Sequence, residues 1–141
     1  MEIPGRIEKV HALFDSQDSW EDRYRELIKL GKGLAIMDEQ FKVEKFRIKG
    51  CQSQVWLYPE FKEGKVFFHA DSDAMLVKGI MALLIEVYNG STPDEILANP
   101  PEFLKQMGIS EHLSMNRTNG LASMVKQIQL YATAFKAMGA L

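Results

Sequence analysis

Little in this chain serves cross-linking or metal binding. Its 141 residues include one cysteine, so no disulfide can form within the molecule. The three histidines, His11, His69 and His112, are scattered without the spacing of ligand pairs, and no Cys/His zinc pattern can be assembled around Cys51. An excess of positive charge is also missing: 17 Lys and Arg stand against 19 Asp and Glu, a net charge of −2. Without a broad basic surface, binding to a nucleic-acid backbone is disfavoured. Long apolar runs are lacking as well. The richest, Ala74 to Tyr88, is interrupted by Lys78 and Glu86, is too short to span a bilayer, and reads as a buried helix. The N-terminal MEIPGRIEKV has no charged-then-apolar secretory pattern, and one free thiol that must stay reduced fits the cytoplasm. With no ligand cluster, glycine-rich phosphate loop or dinucleotide fingerprint, the chain is expected to bind no metal or organic cofactor on its own.

What is present suits one domain over residues 1–141. A composition 46% hydrophobic and 26% charged is that of a globular protein, and the length suffices for a core of its own. Ile3, Ile7, Val10 and Phe14 recur at helical spacing, and Asp15–Ser19 breaks that pattern. Ser19 caps a second helix with the stripe Trp20, Tyr24, Leu27 and Ile28, for which Gly31 offers a stop. Residues 32–40 give no clear signal.

From Phe41 the texture turns to strands. Phe46 and Ile48 alternate with charged residues as in an edge strand, while Val55–Tyr58 and Lys65–Ala70 pair as a hairpin across a turn at Pro59–Gly64. Asp71, Ser72 and Asp73 are candidate caps for the apolar helix, which Asn89-Gly90 ends. Thr92-Pro93-Asp94-Glu95 starts another, a short helix lies near Glu102–Met107, and a last long one begins near Ser114, with Leu121, Met124, Val125, Ile128 and Phe135 on one face. Clustered strands flanked by helices predict an α+β fold, a small three-stranded antiparallel sheet between Glu44 and Ala70 with helices packed against it.

The chemistry gathers at Gly50-Cys51-Gln52-Ser53-Gln54-Val55-Trp56. Cys51 follows a glycine and sits among small polar residues between predicted strands, where a loop can present a thiol to a partner. In an arbitrary cytosolic protein a lone cysteine is more often an inert small residue. Gln52, Ser53 and Gln54 offer hydrogen bonds to a partner or to the sulfur, with ordinary loop-stabilising polarity as the alternative for all three and the better reading for Ser53. Asp71 and Asp73 suit helix capping better than acid–base catalysis, with a contribution to a partner surface second. A structural role is the safer reading for His69 and His112, and sheet packing for Trp56 and Tyr58.

This heptapeptide resembles the signature of the SufE/CsdE family of sulfur-acceptor proteins. Asp71-Ser72-Asp73-Ala74, Lys78-Gly79 and Arg117-x-x-Gly120-Leu121 resemble that family's further marks in the same order, from about Trp20 to the last helix. Ala35 and Phe46 depart from it, standing where a proline and an asparagine are common. The resemblance implies a carrier that is not itself an enzyme. Cys51 would take the outer sulfur of a persulfide held by a cysteine desulfurase, stimulate that enzyme, and pass the sulfur to an iron–sulfur scaffold or another acceptor. Pyridoxal phosphate would belong to the SufS- or CsdA-like partner. Arg117 is the candidate cation favouring the thiolate, with a surface salt bridge or a helix-start contact as an equally good reading. Two alternatives stay open: an interaction module regulating a desulfurase with Cys51 incidental, and a stand-alone thiol enzyme, for which no resolving cysteine exists. Because a fully exposed persulfide is lost to small thiols, the sulfur is expected to face inward at a loop tip and to swing out on docking.

Overall fold

The computed structural model describes residues 2–109 and 115–139, with side chains from 2 to 109 and 120 to 139. Its first helix, α1 (Ile3–Asp15), buries Ile3, Val10 and Phe14, as their spacing predicted. Ser19 caps α2 (Trp20–Lys32) by accepting the Asp22 N–H at 3.2 Å. Thr92 does the same for α4 (Pro93–Ala98), accepting from Glu95 at 3.2 Å.

Between α2 and α4 lie a hairpin and α3 (Met75–Tyr88). Helix α3 is buried on nearly every side, with Val77, Leu83, Leu84 and Val87 among its buried residues, as expected of a helix apolar all round. Arg6 of α1 closes its C-terminal end, donating to the carbonyls of Val87 at 3.1 Å and Asn89 at 2.8 Å. Those carbonyls lack partners within the helix and carry the negative end of its dipole. Gly31 is not the stop predicted for α2, which runs to Lys32 with Gly33 beyond it. Its role is close approach: a Cβ on Gly31 would lie 2.8 Å from the Gly79 backbone nitrogen, and one on Gly79 would fall on the Leu27 carbonyl oxygen. The two glycines let α2 and α3 touch backbone to backbone.

Strands β1 (Val55–Lys62) and β2 (Lys65–Ser72) pair antiparallel, from Val55 opposite Ser72 to Lys62 opposite Lys65. The turn is shorter than predicted. Only Glu63 and Gly64 form it, with φ of +53° and +79°, the doubly positive pattern that matches strand twist. Pro59 therefore lies inside β1. It is tolerated because its partner Phe68 sends its N–H away from β1, to Asn89 Oδ1 at 2.6 Å, so the missing donor of Pro59 faces the free edge.

The predicted third strand is corrected to a single bridge. Glu44–Phe46 forms a 3-10 turn, after which only Arg47 bridges to Trp56, and Ile48 donates to the Val55 carbonyl at 2.8 Å. Packing overrides the alternation here. Phe46 turns onto the outer face of the hairpin, edge-on to Tyr58 at 5.0 Å, while Phe41 stacks on the same ring at 3.9 Å. Gly50, with φ +89°, then ends the extended path. Ala35, the other departure from the family pattern, is exposed in the connection after α2.

The inner face of the hairpin, with Val55, Leu57, Val66, Phe68 and Ala70 buried, joins α3 in one core. Helix α5 (Glu102–Gln106) adds Phe103 and Leu104, and α6 (Met115–Gly139) adds Leu121, Met124, Ile128 and Ala132. The arrangement is α+β. Ser114 and His112, named from the sequence, lie outside the described residues. Among the described residues, no helix is long and apolar enough to cross a membrane.

Candidate functional site

The loop from Lys49 to Gln54 leaves the bridge at Arg47 and enters β1, carrying Cys51 between two fixed ends. Cys51 is half-buried, and its Sγ lies against the backbone of α6, 3.7 Å from the Gly120 carbonyl oxygen. Gly120 permits that approach, since a Cβ there would come within 3.2 Å of the sulfur. Gly50 lies as close to α6: a Cβ on it would meet Ser123 Oγ at 2.8 Å, and its positive φ already favours glycine. Beside the thiol is a hollow of about 150 Å³, walled by Ala74, Val77, Gly120 and Met124 and rimmed by Gln52 and Ser53. It has room for an additional sulfur atom next to Sγ, against mainly apolar walls.

Desolvation raises the Cys51 thiol above its ordinary value, and the positive charge of Arg47 opposes that shift without cancelling it. Because burial favours the neutral form, less thiolate is present near neutral pH than in free cysteine. The iodoacetamide alkylation rate, followed against pH, should therefore inflect above the ordinary thiol value of about 8.5. An inflection at or below that value contradicts the shielded geometry.

Asp73 caps no helix. Its Oδ1 accepts the Gln54 N–H at 3.0 Å while its own N–H donates to the Gln54 carbonyl at 3.3 Å. These paired bonds tie the far end of the cysteine loop to the start of α3. Ser72 supplies the turn instead, its Oγ accepting from Ala74 at 3.1 Å. Replacing Asp73 with alanine removes about 1 kcal/mol of hydrogen bonding, enough to shift a local opening equilibrium about fivefold. Alkylation of Cys51 should quicken by about that factor, and an unchanged rate would mean that Asp73 does not restrain the loop.

Asp71 is no cap either. It pairs with Lys42 at 2.8 Å and Lys78 at 3.3 Å, pinning the 39–46 connection to α3. Partial burial pushes its carboxyl up, but hydrogen bonds from Lys42, the Ser72 N–H and Lys78 outweigh that and hold it below the usual carboxylate range. His69 stacks on Tyr58 at 5.8 Å and reaches Glu60 at 3.5 Å, on the outer face of the hairpin.

The structure thus brings Cys51, Gln52, Ser53, Gln54 and Asp73 together, with Gln52 and Gln54 exposed. The backbone of Arg117 falls in the first turn of α6, but its side chain is outside the described residues. Sequence reasoning missed Arg47 as a cation acting on the thiol, and its signal was only a position four residues before Cys51. The direct contact of Gly120 with Sγ was also missed, although the glycine belonged to a quoted motif. Among the described residues, no three of His, Cys, Asp and Glu gather closely enough to hold a metal ion.

The family model for SufE, described as an Fe-S metabolism associated domain, matches residues 8–132. An uncharacterized SufE-like protein of Synechocystis is 37% identical over 95% of this chain and 84% of its own length. SufE-like protein 1, chloroplastic/mitochondrial, of Arabidopsis thaliana is also 37% identical, over 98% of this chain but 38% of its own. A SufE-like protein of Rhizobium etli is 41% identical over 79% of each chain. A hypothetical protein of Thermus thermophilus, solved in solution, superposes with a TM-score of 0.78 over 95% of this chain and 97% of that one; at 24% identity, the likeness speaks for the fold alone.

Proposed function

The chain belongs to the SufE family, and from that premise we propose that it is a sulfur acceptor of iron–sulfur metabolism, carrying a persulfide on Cys51. The observation that carries this reading is the thiol itself: a lone cysteine in a tied loop, half-shielded against Gly120, with a hollow beside it that has room for one more sulfur.

In the transfer, the Cys51 thiolate attacks the outer sulfur of a persulfide on the donor enzyme. A new S–S bond forms at Cys51, the old one breaks, and the donor cysteine leaves as its thiolate. The outer sulfur keeps its oxidation level throughout, so no further oxidant or reductant takes part. Emptying the donor frees it for another round, which is how a carrier stimulates its desulfurase without being an enzyme itself. Pyridoxal phosphate belongs to that donor, and an iron–sulfur scaffold or further acceptor receives the sulfur.

Shielding and transfer pull in opposite directions, and the loop geometry reconciles them. In the free protein the apolar walls and the raised thiol keep Cys51 quiet; on docking, the loop between Gly50 and Gln54 swings the sulfur outward. The test is mass spectrometry after incubation with a SufS-type cysteine desulfurase and free cysteine. A gain of one sulfur atom, located on Cys51, is the expected result. Stimulated desulfurase with an unmodified Cys51 would favour the interaction-module reading instead.

A further inference from the structure

Ahead of the cysteine loop in the chain lies an open groove of about 590 Å³, between the 44–49 segment and α6. Its walls carry Lys45, Arg47, Lys49 and Lys126 against one carboxylate, Glu44. Glu44 lies 3.7 Å from Arg47. Among the described residues, Lys45, Lys49 and Lys126 have no ion-pair partner, although Lys45 lies 5.4 Å from the Phe46 ring centre. In a chain of net charge −2, such local segregation of positive charge is the opposite of the average. Half-exposed Leu130 adds an apolar contact at the α6 side.

We propose that this groove docks an acidic segment of the protein that donates the sulfur, a partner identified only through the function proposed above. Charge complementarity selects the occupant. Four cations spread along an open groove suit several carboxylates in a row better than one compact anion held at a point. The placement suits the same task, because Ile48 and Lys49 lead directly into Gly50-Cys51, and Ser123 on the groove wall sits against Gly50. A segment seated here contacts both the strand-like entry of the thiol loop and the helix against which Sγ rests. Docking and presentation of the sulfur are then adjacent events. Exposed ion pairs contribute little each to affinity, but together they steer encounter within a Debye length of about 8–10 Å.

The test compares wild-type protein with the triple variant Lys45→Glu, Lys49→Glu, Lys126→Glu. Arg47 is kept, since its charge acts on the thiol. Persulfide formation on Cys51 is measured against carrier concentration with a SufS-type cysteine desulfurase, at low and at physiological ionic strength. The half-saturating concentration of the variant should rise about tenfold at low salt, with the rate at saturation retained, and the salt dependence seen for wild type should reverse, because added salt then screens repulsion. Hexaglutamate should raise the half-saturating concentration of wild type at low salt, whereas uncharged hexaserine should not. Should the reversed charges impair folding, the corresponding three Lys→Gln substitutions give the same trend at smaller size. A folded variant with unchanged half-saturation and salt dependence, beside a wild type that accepts sulfur, overturns the groove and leaves the carrier function standing. A wild type that accepts none overturns both.

Discussion

Replacing Cys51 with serine should cut sulfur acceptance from a cysteine desulfurase at least about a hundredfold, equivalent to about 2.7 kcal/mol in the transfer step, while leaving the fold intact. The two side chains have nearly the same shape, and among the described residues the thiol's hydrogen bonding is limited to a weak one, 3.7 Å from the Gly120 carbonyl oxygen. What changes is the chemistry. A serine hydroxyl is not ionised near neutral pH and cannot form the reversible S–S bond that holds the cargo. There is no second cysteine to take over. The measurement is radiolabelled sulfur bound per chain after incubation with desulfurase and labelled cysteine, beside a melting curve. The same variant separates the competing readings. A variant that still stimulates the desulfurase fully without Cys51 marks an interaction module, whereas catalytic turnover of small disulfides or peroxides by wild type alone, lost in the variant, marks a thiol enzyme.

Replacing Gly79 with alanine should lower stability by about 3 kcal/mol, a melting point lower by about 10 °C. Helix propensity alone predicts the opposite, because alanine is favoured over glycine by about 1 kcal/mol inside a helix. Space decides the sign. The new methyl would fall on the Leu27 carbonyl oxygen and 3.2 Å from the Ile28 nitrogen, rigid backbone atoms that cannot rotate away. Helix α2 would have to lift off α3, and a domain of this size has only about 5–15 kcal/mol in total. Gly33→Ala is the control. That glycine has an ordinary φ of −83°, and an added Cβ meets nothing closer than 3.4 Å, so its melting point should stay near wild type. Equal melting of the Gly79 variant and the control would refute close approach as the reason for the glycine.

Local signals were read well where the structure itself is local. The caps at Ser19 and Thr92, the stop at Asn89-Gly90 and the apolar face of α1 depend on residues three or four apart, and each lies where its spacing placed it. The readings that failed needed knowledge of a distant neighbour. Phe46 looks like a strand residue until Phe41 and Tyr58 are placed around it. Pro59 looks like a turn until Asn89 takes the N–H of Phe68. Asp73 looks like a helix cap until Gln54, 19 residues away, presents its amide.

By itself, then, the sequence determined the family and singled out one thiol, because a single cysteine within Gly50-Cys51-Gln52-Ser53-Gln54-Val55-Trp56 is a contiguous pattern that survives without coordinates. It also determined the α+β class, through hydrophobic periods that belong to each element alone. Only the tertiary structure decided how that thiol is treated. The contact of Sγ with Gly120 spans 69 residues, the charge acting on the thiol comes from Arg47, and the cations of the neighbouring groove come from both the 44–49 segment and α6. The physical reason is that shielding and electrostatic environment depend on distance in space, and chain folding sets that distance without leaving a period or a motif along the sequence.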